Sequence, residues 1–353
     1  MEINNQDFAN LLISEDSTII DALGLLNKVH GLSRMILFVH NMSKEIVGSL
    51  TDGDVRRSLL QDKDVNKKVG LLCNRNFEYC YSDEDYLNFK KYRKKDIRIL
   101  PILDRNKKLI DLIDLAIIRA KLPLECFIMA GGRGERLRPL TDSIPKPMLL
   151  LGNKPIIEHV VDKLVLFGIK KIYISIKYLG DQIVEFLGDG SRKGISIEYI
   201  REDQPLGTAG SLSLVKKFNT EHILLMNSDL FTDANFEDLY LMTIQNKASL
   251  GVATIPYTTK VPYGVFKTNE HTVVGLKEKP IYTNYANAGI YIISTDVLDR
   301  IPHNCFYNIT DLIEQLISEN KTIIHDPIIS YWIDIGQHQD YLNAQEIVKH
   351  LQN

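Results

Sequence analysis

The chain has 353 residues, 44% of them apolar and 25% charged, which is enough to bury cores in two or three domains at roughly 150 residues each. Its 42 basic and 45 acidic side chains leave a net charge of −3, which disfavours a protein whose main task is to coat nucleic acid or an anionic membrane. No stretch approaches the ~18 consecutive apolar residues of a membrane span, and the start, MEINNQDFANLL, lacks the basic and apolar regions of a signal peptide, so a cytoplasmic protein is expected. The four cysteines (Cys73, Cys80, Cys126, Cys305) form no C-x-x-C pair and are read as reduced thiols.

Taken in chain order, residues 19–29 have helical character, 35–39 form an apolar run, 41–44 a turn and 46–50 a second run, with a helix opening at 51–54. The order then returns: a helix-like stretch at 86–92, a run at 97–103, a turn at 104–107, a run at 109–113 and a helix from Asp114. A βαββα unit of about 60 residues, used twice, predicts one compact domain over 1–121, with copies at about 1–62 and 63–121. The basic cluster Lys90, Lys91, Arg93, Lys94 and Lys95, with Asp83, Glu84 and Asp85 nearby, reads as a solvated face. Pro123 marks the boundary.

The repeat resembles a tandem pair of cystathionine-β-synthase-type (CBS) modules, an α+β family whose members often bind adenosine nucleotides. Its strand-ending pattern Gly-x-x-Thr/Ser-x-x-Asp is met by GSLTDGD at 48–54. The resemblance implies that Thr51 contacts phosphate and Asp54 the ribose hydroxyls; Thr51 also qualifies as a plain helix N-cap. In the second copy the matching positions are Asp111, Asp114 and Ile117, so at most one site of the usual type is implied.

From Cys126 the pattern changes to short apolar strands (126–129, 171–176, 195–200, 223–226) separated by amphipathic helices, one with Ile156, Ile157, Val160, Val161, Leu164 and Phe167 on a single face. That alternation predicts an α/β fold over 124–353: a Rossmann-like, doubly wound, mainly parallel sheet with ligands at the carboxyl ends of its strands. The first post-strand loop reads MAGGRGERLRPLT (129–141), followed by PKP (145–147). Its glycines let backbone amides approach a phosphate chain, and Arg133, Arg136 and Lys146 add positive charge. Leu137 stands where a dinucleotide fingerprint needs a third glycine, and no Walker A spacing occurs.

Loop and spacing together resemble the signature of the sugar-1-phosphate nucleotidylyltransferases, which have a GT-A-like fold. Further motifs follow in family order to about residue 345. QPLGTAG (204–210) is similar to the family's base-contacting loop, NSD (227–229) to the strand end carrying a magnesium-binding aspartate, and WIDIG (332–336) to the motif supplying the second. PYGV (262–265), EKP (278–280) and NAG (287–289) resemble its sugar and sugar-phosphate contacts. The resemblance implies Arg136, Lys146, Asp229 and Asp334 as catalytic residues, with the two aspartates holding Mg2+. It implies nucleotide contacts at Ala130, Gly131, Gly132, Arg133, Gly134, Gln204, Gly207 and Thr208. Sugar-phosphate contacts are implied at Gly264, Glu278, Lys279, Asn287 and Gly289. His159 and His338 lack metal-ligand spacing, and Trp332 is read as a core anchor.

A CBS pair ahead of such a transferase resembles the guanylyltransferases of legionaminic-acid pathways, which make GDP-glucosamine from GTP and glucosamine-1-phosphate. Many guanylyl- and uridylyl-type relatives carry an acidic residue where this chain has Gln204. Uridylyl or thymidylyl transfer to a glucose-type phosphate therefore stays open, as do mannose- and heptose-1-phosphate. Both families commonly self-associate, which implies a homo-oligomer. The amphipathic end at 340–351 shows no hexapeptide repeats, so no second catalytic activity is expected. The rival class, a nucleotide sensor that has lost chemistry, would require one of the four catalytic residues to be missing; all are present.

Overall fold

The computed structural model describes residues 8–29, 32–82 and 89–352. The chain divides into two compact units, one of Met1–Leu122 with Leu166–Gly168, the other of Pro123–Val165 with Ile169–Asn353.

In the first unit, β1 (Leu12–Ser14) leads to α1 (Ile19–Leu26), β2 (Ile36–His40), β3 (Ile46–Thr51) and α2 (Asp52–Asp62). Then come β4 (Cys80–Tyr81), α3 (Lys90–Lys94), β5 (Ile99–Leu103) and β6 (Leu109–Asp114). Two three-stranded sheets repeat one topology: β1 is parallel to β2 and β2 antiparallel to β3, and β4, β5 and β6 pair in the same way. Both hairpins carry a register shift at the matching place, Val39/His40 and Ile102/Leu103. Both turn through a lysine in the left-handed region, Lys44 (φ 63°) and Lys107 (φ 58°), as bulged hairpin loops do. Thr18 caps α1, its hydroxyl accepting from the Asp21 amide while the Asp21 carboxylate accepts from the Thr18 amide. Ile19, Ala22 and Leu26 then fall on the buried face.

The helix expected from Asp114 does not form. The Asp114 carboxylate accepts from the Ser33 amide (2.6 Å), the Ser33 hydroxyl (2.7 Å) and the Ala116 amide (3.0 Å), and the chain makes a single turn there. Pro123 also disfavours helical backbone at Leu122, which precedes it. Of the helix expected at 86–92, residues 86–88 lie outside the described residues, as do Asp83, Glu84 and Asp85, and 90–92 fall in α3.

The second unit begins with β7 (Glu125–Ala130), β8 (Leu150–Leu151), β9 (Lys154–Pro155), α4 (Ile156–Leu166), β10 (Lys171–Ile176), α5 (Gly180–Leu187) and β11 (Ser196–Arg201). It continues with β12 (His222–Asn227), β13 (Leu230–Thr232), α6 (Phe236–Gln245), β14 (Leu250–Lys260), β15 (Val265–Asn269), β16 (Thr272–Lys277) and β17 (Ile281–Ser294). Last come α7 (Ile309–Ser318), β18 (Ile323–Pro327), β19 (Trp332–Asp334) and α8 (His338–Gln352). A seven-stranded sheet runs β11-β10-β7-β12-β17-β14-β18, and β17 alone opposes its neighbours. The central strands β7, β10 and β12 are buried on both faces, and α4 contributes Ile156, Ile157, Val160, Val161 and Leu164 to the buried residues. The parallel register brings the carboxyl ends of β7, β10, β11 and β12 to one edge, where such sheets bind ligands. The outer halves of β14 and β17 and the β15–β16 hairpin form an exposed arm bearing Tyr257, Tyr263, Phe266, Leu276 and Ile281 on its surface. No helix among the described residues is long and apolar enough to cross a membrane.

Candidate active site

A two-stranded sheet explains how two distant aspartates meet. β13 and β19 pair antiparallel with Leu230 opposite Asp334, and the Ile335 amide donates to the Asp229 carbonyl at 3.1 Å. Asp229 is therefore one register step from Asp334 although 105 positions separate them (334 − 229). Trp332, on the same strand, is half-buried and donates its indole N–H to the Ala288 carbonyl (2.9 Å), tying β19 to β17 rather than filling the core.

Lys146 enters from the other side. It begins a short 3-10 turn after Pro145, and its ammonium donates to Asp229 Oδ2 and stands 3.8 Å from Asp334 Oδ1, an ion pair too long for a hydrogen bond. The side chains of Lys146 and Asp229 are 15% and 18% exposed. Asp229 Oδ1 and Asp334 Oδ1 are buried without a hydrogen-bond partner, each an acceptor left over after protein contacts are counted. Burial, and next the neighbouring Asp229 charge, raise the Asp334 carboxyl above its ordinary range, with Lys146 opposing.

These donors fit a hard divalent cation such as Mg2+, which takes oxygen ligands, needs only one or two carboxylates and completes its shell with waters and substrate phosphates. Among the described residues no group of three or more His, Cys, Asp or Glu side chains gathers to hold a metal, so waters or phosphate oxygens would complete the shell at this site.

Asp229, Asp334 and Lys146 line a cavity of about 380 Å3 together with Ala130, Gly132, Gly134 and Arg136. Gly134 must be glycine: its φ is 67°, and a Cβ there would stand 3.0 Å from Lys146 Cβ and 3.1 Å from Thr141 Cγ2. The Thr141 hydroxyl donates to the Gly134 carbonyl (2.9 Å), folding the glycine loop down onto Lys146. Arg133 turns away, with its guanidinium over the Tyr178 ring at 5.3 Å. Ser228, Glu135 and Gly336, which lie within the motifs but were given no role of their own, also line the cavity.

The loop at 204–210 is stitched to 303–309. Gln204 Nε2 donates to the Asn304 carbonyl (3.1 Å), the Ala209 and Gly210 amides donate to the Tyr307 carbonyl, and the Ile309 amide donates to Thr208 Oγ1 (2.9 Å). Gly207 (φ 75°) lies so close to Tyr307 that a Cβ would meet its carbonyl oxygen at 2.7 Å. None of Gln204, Gly207 and Thr208 lines the aspartate cavity, nor do Gly264, Glu278, Lys279, Asn287 and Gly289. Gly264, Glu278 and Lys279 belong to the exposed arm, where Lys279 adopts φ 45°. Asn287 Oδ1 accepts from the Gly289 amide (2.9 Å) and the Tyr291 hydroxyl (2.8 Å), and Gly289 packs on Asn227. His159 and His338 contact the carbonyls of Leu151 and Arg138, structural roles in both cases.

In the first unit, Thr51 and Asp54 line a cavity of about 530 Å3 with Arg34, Ser49, Asn76 and Arg98. The same pair closes a capping box on α2, in which the Thr51 amide (2.8 Å) and hydroxyl (2.7 Å) donate to Asp54 Oδ2.

Comparison with known proteins adds the following. The family model described as "Nucleotidyl transferase" matches residues 126–350. Mannose-1-phosphate guanyltransferase beta-A of Xenopus laevis is 32% identical over 229 residues, 63% of each chain. Probable mannose-1-phosphate guanylyltransferase 1 of Oryza sativa is 34% identical over 234 residues, again 63% of each. The matched part of this chain thus spans just under two thirds of the length of the curated relatives. Among solved structures, a candidate glucose-1-phosphate thymidylyltransferase of Bacillus anthracis, in complex with sucrose, is similar with a TM-score of 0.52 and 26% identity, over 64% of this chain and 95% of that one.

Proposed function

The chain belongs to the nucleotidyl transferase family, and from that premise we propose that it joins a nucleoside triphosphate to a sugar-1-phosphate, releasing pyrophosphate. The observation that carries the reading is the cavity at the strand ends, in which two carboxylates with orphaned oxygens meet one lysine beneath a glycine-rich loop.

In this reaction a sugar-1-phosphate oxygen bonds to the α-phosphorus while the bond from that phosphorus to the α–β bridging oxygen breaks. The nucleophile is already an anion, so no general base is needed; what limits the reaction is bringing like charges together in line. Lys146 and Arg136 supply positive charge to the triphosphate, and the amides of Gly131, Gly132 and Gly134 approach its oxygens. Asp229 and Asp334 would hold Mg2+, which when bound offsets charge on the phosphate oxygens. Lys279 and the arm around Glu278 and Gly264 would hold the sugar phosphate, with Asn287 and Gly289 at the sugar.

For the base we propose guanine, supported by the names of the guanylyltransferase relatives. For the sugar we propose glucosamine-1-phosphate, on the resemblance of the whole architecture; mannose-1-phosphate is the second reading, favoured by those same names. The test offers the protein with magnesium GTP, UTP, CTP and dTTP, each against glucosamine-, mannose-, heptose- and glucose-1-phosphate. Pyrophosphate release only with GTP and glucosamine-1-phosphate is the expected result; release with mannose-1-phosphate instead overturns the sugar assignment, and none with any pair overturns the enzyme reading.

We also propose that the first unit is a CBS-type regulatory pair taking an adenosine nucleotide in the cavity beside Thr51 and Asp54. AMP should raise the melting temperature of the wild type, and Asp54→Ala should remove that shift. An unchanged shift refutes the assignment.

A further inference from the structure

Glu202 is the first residue beyond β11, and its amide extends the ladder by donating to the Ile176 carbonyl at 3.0 Å. Met129, Ser175 and Ile200 are aligned across β7, β10 and β11. Side chains alternate between faces, so two residues on, Gly131 and Glu202 return to that common face with one strand between them. Neighbouring strands are about 4.8 Å apart, so close to 10 Å separates the two backbones, a gap that a glutamate side chain reaching about halfway across closes to van der Waals contact. It does so here: a Cβ built on Gly131 would lie 3.1 Å from both Glu202 carboxylate oxygens. A side chain at 131 would have to displace that carboxylate by a few tenths of an ångström.

The same carboxylate faces the second loop. The Leu206 amide, the Ser175 and Ser211 hydroxyls and the Lys177 ammonium all lie near enough to favour its charged form, while burial, the largest influence, pushes its pKa up. One acid group thus packs against the start of the glycine loop and stands at the foot of the loop at 204–210, yet it does not line the aspartate cavity.

We propose that Glu202 is a positioning residue that sets the separation of the two nucleotide loops by filling the void at Gly131 from a place only two residues ahead of Gln204, and so governs nucleotide affinity. The inference rests on the reading that residues 131–134 take phosphates and 204–208 the base. A nucleotide held at both ends is sensitive to their spacing, whereas the sugar phosphate is not.

Magnesium GTP titrated into wild-type protein by calorimetry tests it, alongside Gly131→Ala, Glu202→Asp and the double variant. Gly131→Ala should weaken binding at least tenfold, because its methyl meets the carboxylate. Shortening the acid by one methylene makes room, so the double variant should bind at least threefold tighter than Gly131→Ala alone. Strict additivity of the two changes overturns the proposal. Glu202→Ala, a separate arm that does not depend on Gly131→Ala folding, should raise KM for GTP at least fivefold and leave KM for the sugar phosphate within twofold. Equal rises in both constants, or none, overturn it as well. If the wild type binds no GTP, the guanylyl reading fails; wild-type binding that the variants leave unchanged refutes Glu202 alone.

Discussion

Replacing Lys146 by methionine should destabilise the second unit and make that unit newly dependent on magnesium. In the native protein the ammonium offsets two carboxylates at once. Its attraction to Asp334 across 3.8 Å is about 4 kcal/mol at an effective dielectric constant of ~20. Asp334 is 45% exposed, however, and solvent screening brings that contribution to roughly 1 kcal/mol or less. The contact with Asp229 is less open, at 15% and 18% exposure, and removing one partner of such a pair leaves the other charge uncompensated at a cost of about 3 kcal/mol. At ~2–4 °C per kcal/mol for a unit of this size, a loss of about 6–12 °C follows. The chain has a single tryptophan, Trp332, two residues from Asp334, so tryptophan emission excited beyond the tyrosine absorption band follows the melting of this unit alone. Magnesium at a hundred times its dissociation constant should contribute about 2.7 kcal/mol and restore most of the loss, because the ion replaces the missing ammonium. The wild type should gain less, since Lys146 must first give up Asp229. A fall below about 2 °C, or equal magnesium stabilisation of both proteins, refutes the reasoning.

Other outcomes follow from the same geometry. Asp229→Ala and Asp334→Ala should each lower turnover by at least about a thousandfold while Trp332 fluorescence still reports a cooperative melt. Asp334→Asn should raise the melting temperature in the absence of magnesium at alkaline pH. The Asp334 carboxyl has a raised folded-state pKa, so its favourable contribution exists below the unfolded pKa and is lost as pH rises through the folded one. The gain of the asparagine variant should accordingly be present near pH 8 and vanish towards pH 4, and a gain independent of pH would contradict it. Gly134→Ala should cost about 1–2 kcal/mol, because φ 67° disfavours a Cβ that would also press on Lys146; a neutral melting temperature would count against the loop geometry.

Local pattern was legible where local physics decides it. The strands at 126–129 and 171–176, the helix of Ile156 and Val160, and the hairpins of the first unit all follow from periodicity and turn residues. The helix anticipated at Asp114 failed because that carboxylate is engaged by Ser33, a partner 81 positions away that no window of sequence reveals. Trp332 as a core anchor was half right, since it anchors through its N–H from a half-buried position.

The candidate site divides along the same line. The resemblance of ordered motifs to a family signature was enough to single out Lys146, Asp229 and Asp334, and their types suit phosphate chemistry, which draws on cations and hard oxygen ligands. Their union was decided by the β13–β19 register, which sets Asp334 one step from Asp229, and by the positive φ of Gly134, which seats the glycine loop on Lys146. Glu202 had no signal of its own: its neighbour Gly131 is 71 positions away (202 − 131) and two strands over. Composition, periodicity and motif order therefore determined which elements form and which chemistry they can hold, since these depend on neighbouring residues and side-chain type. Which side chains touch was left to the tertiary structure, because strand register and loop closure are set by packing between segments distant in the chain.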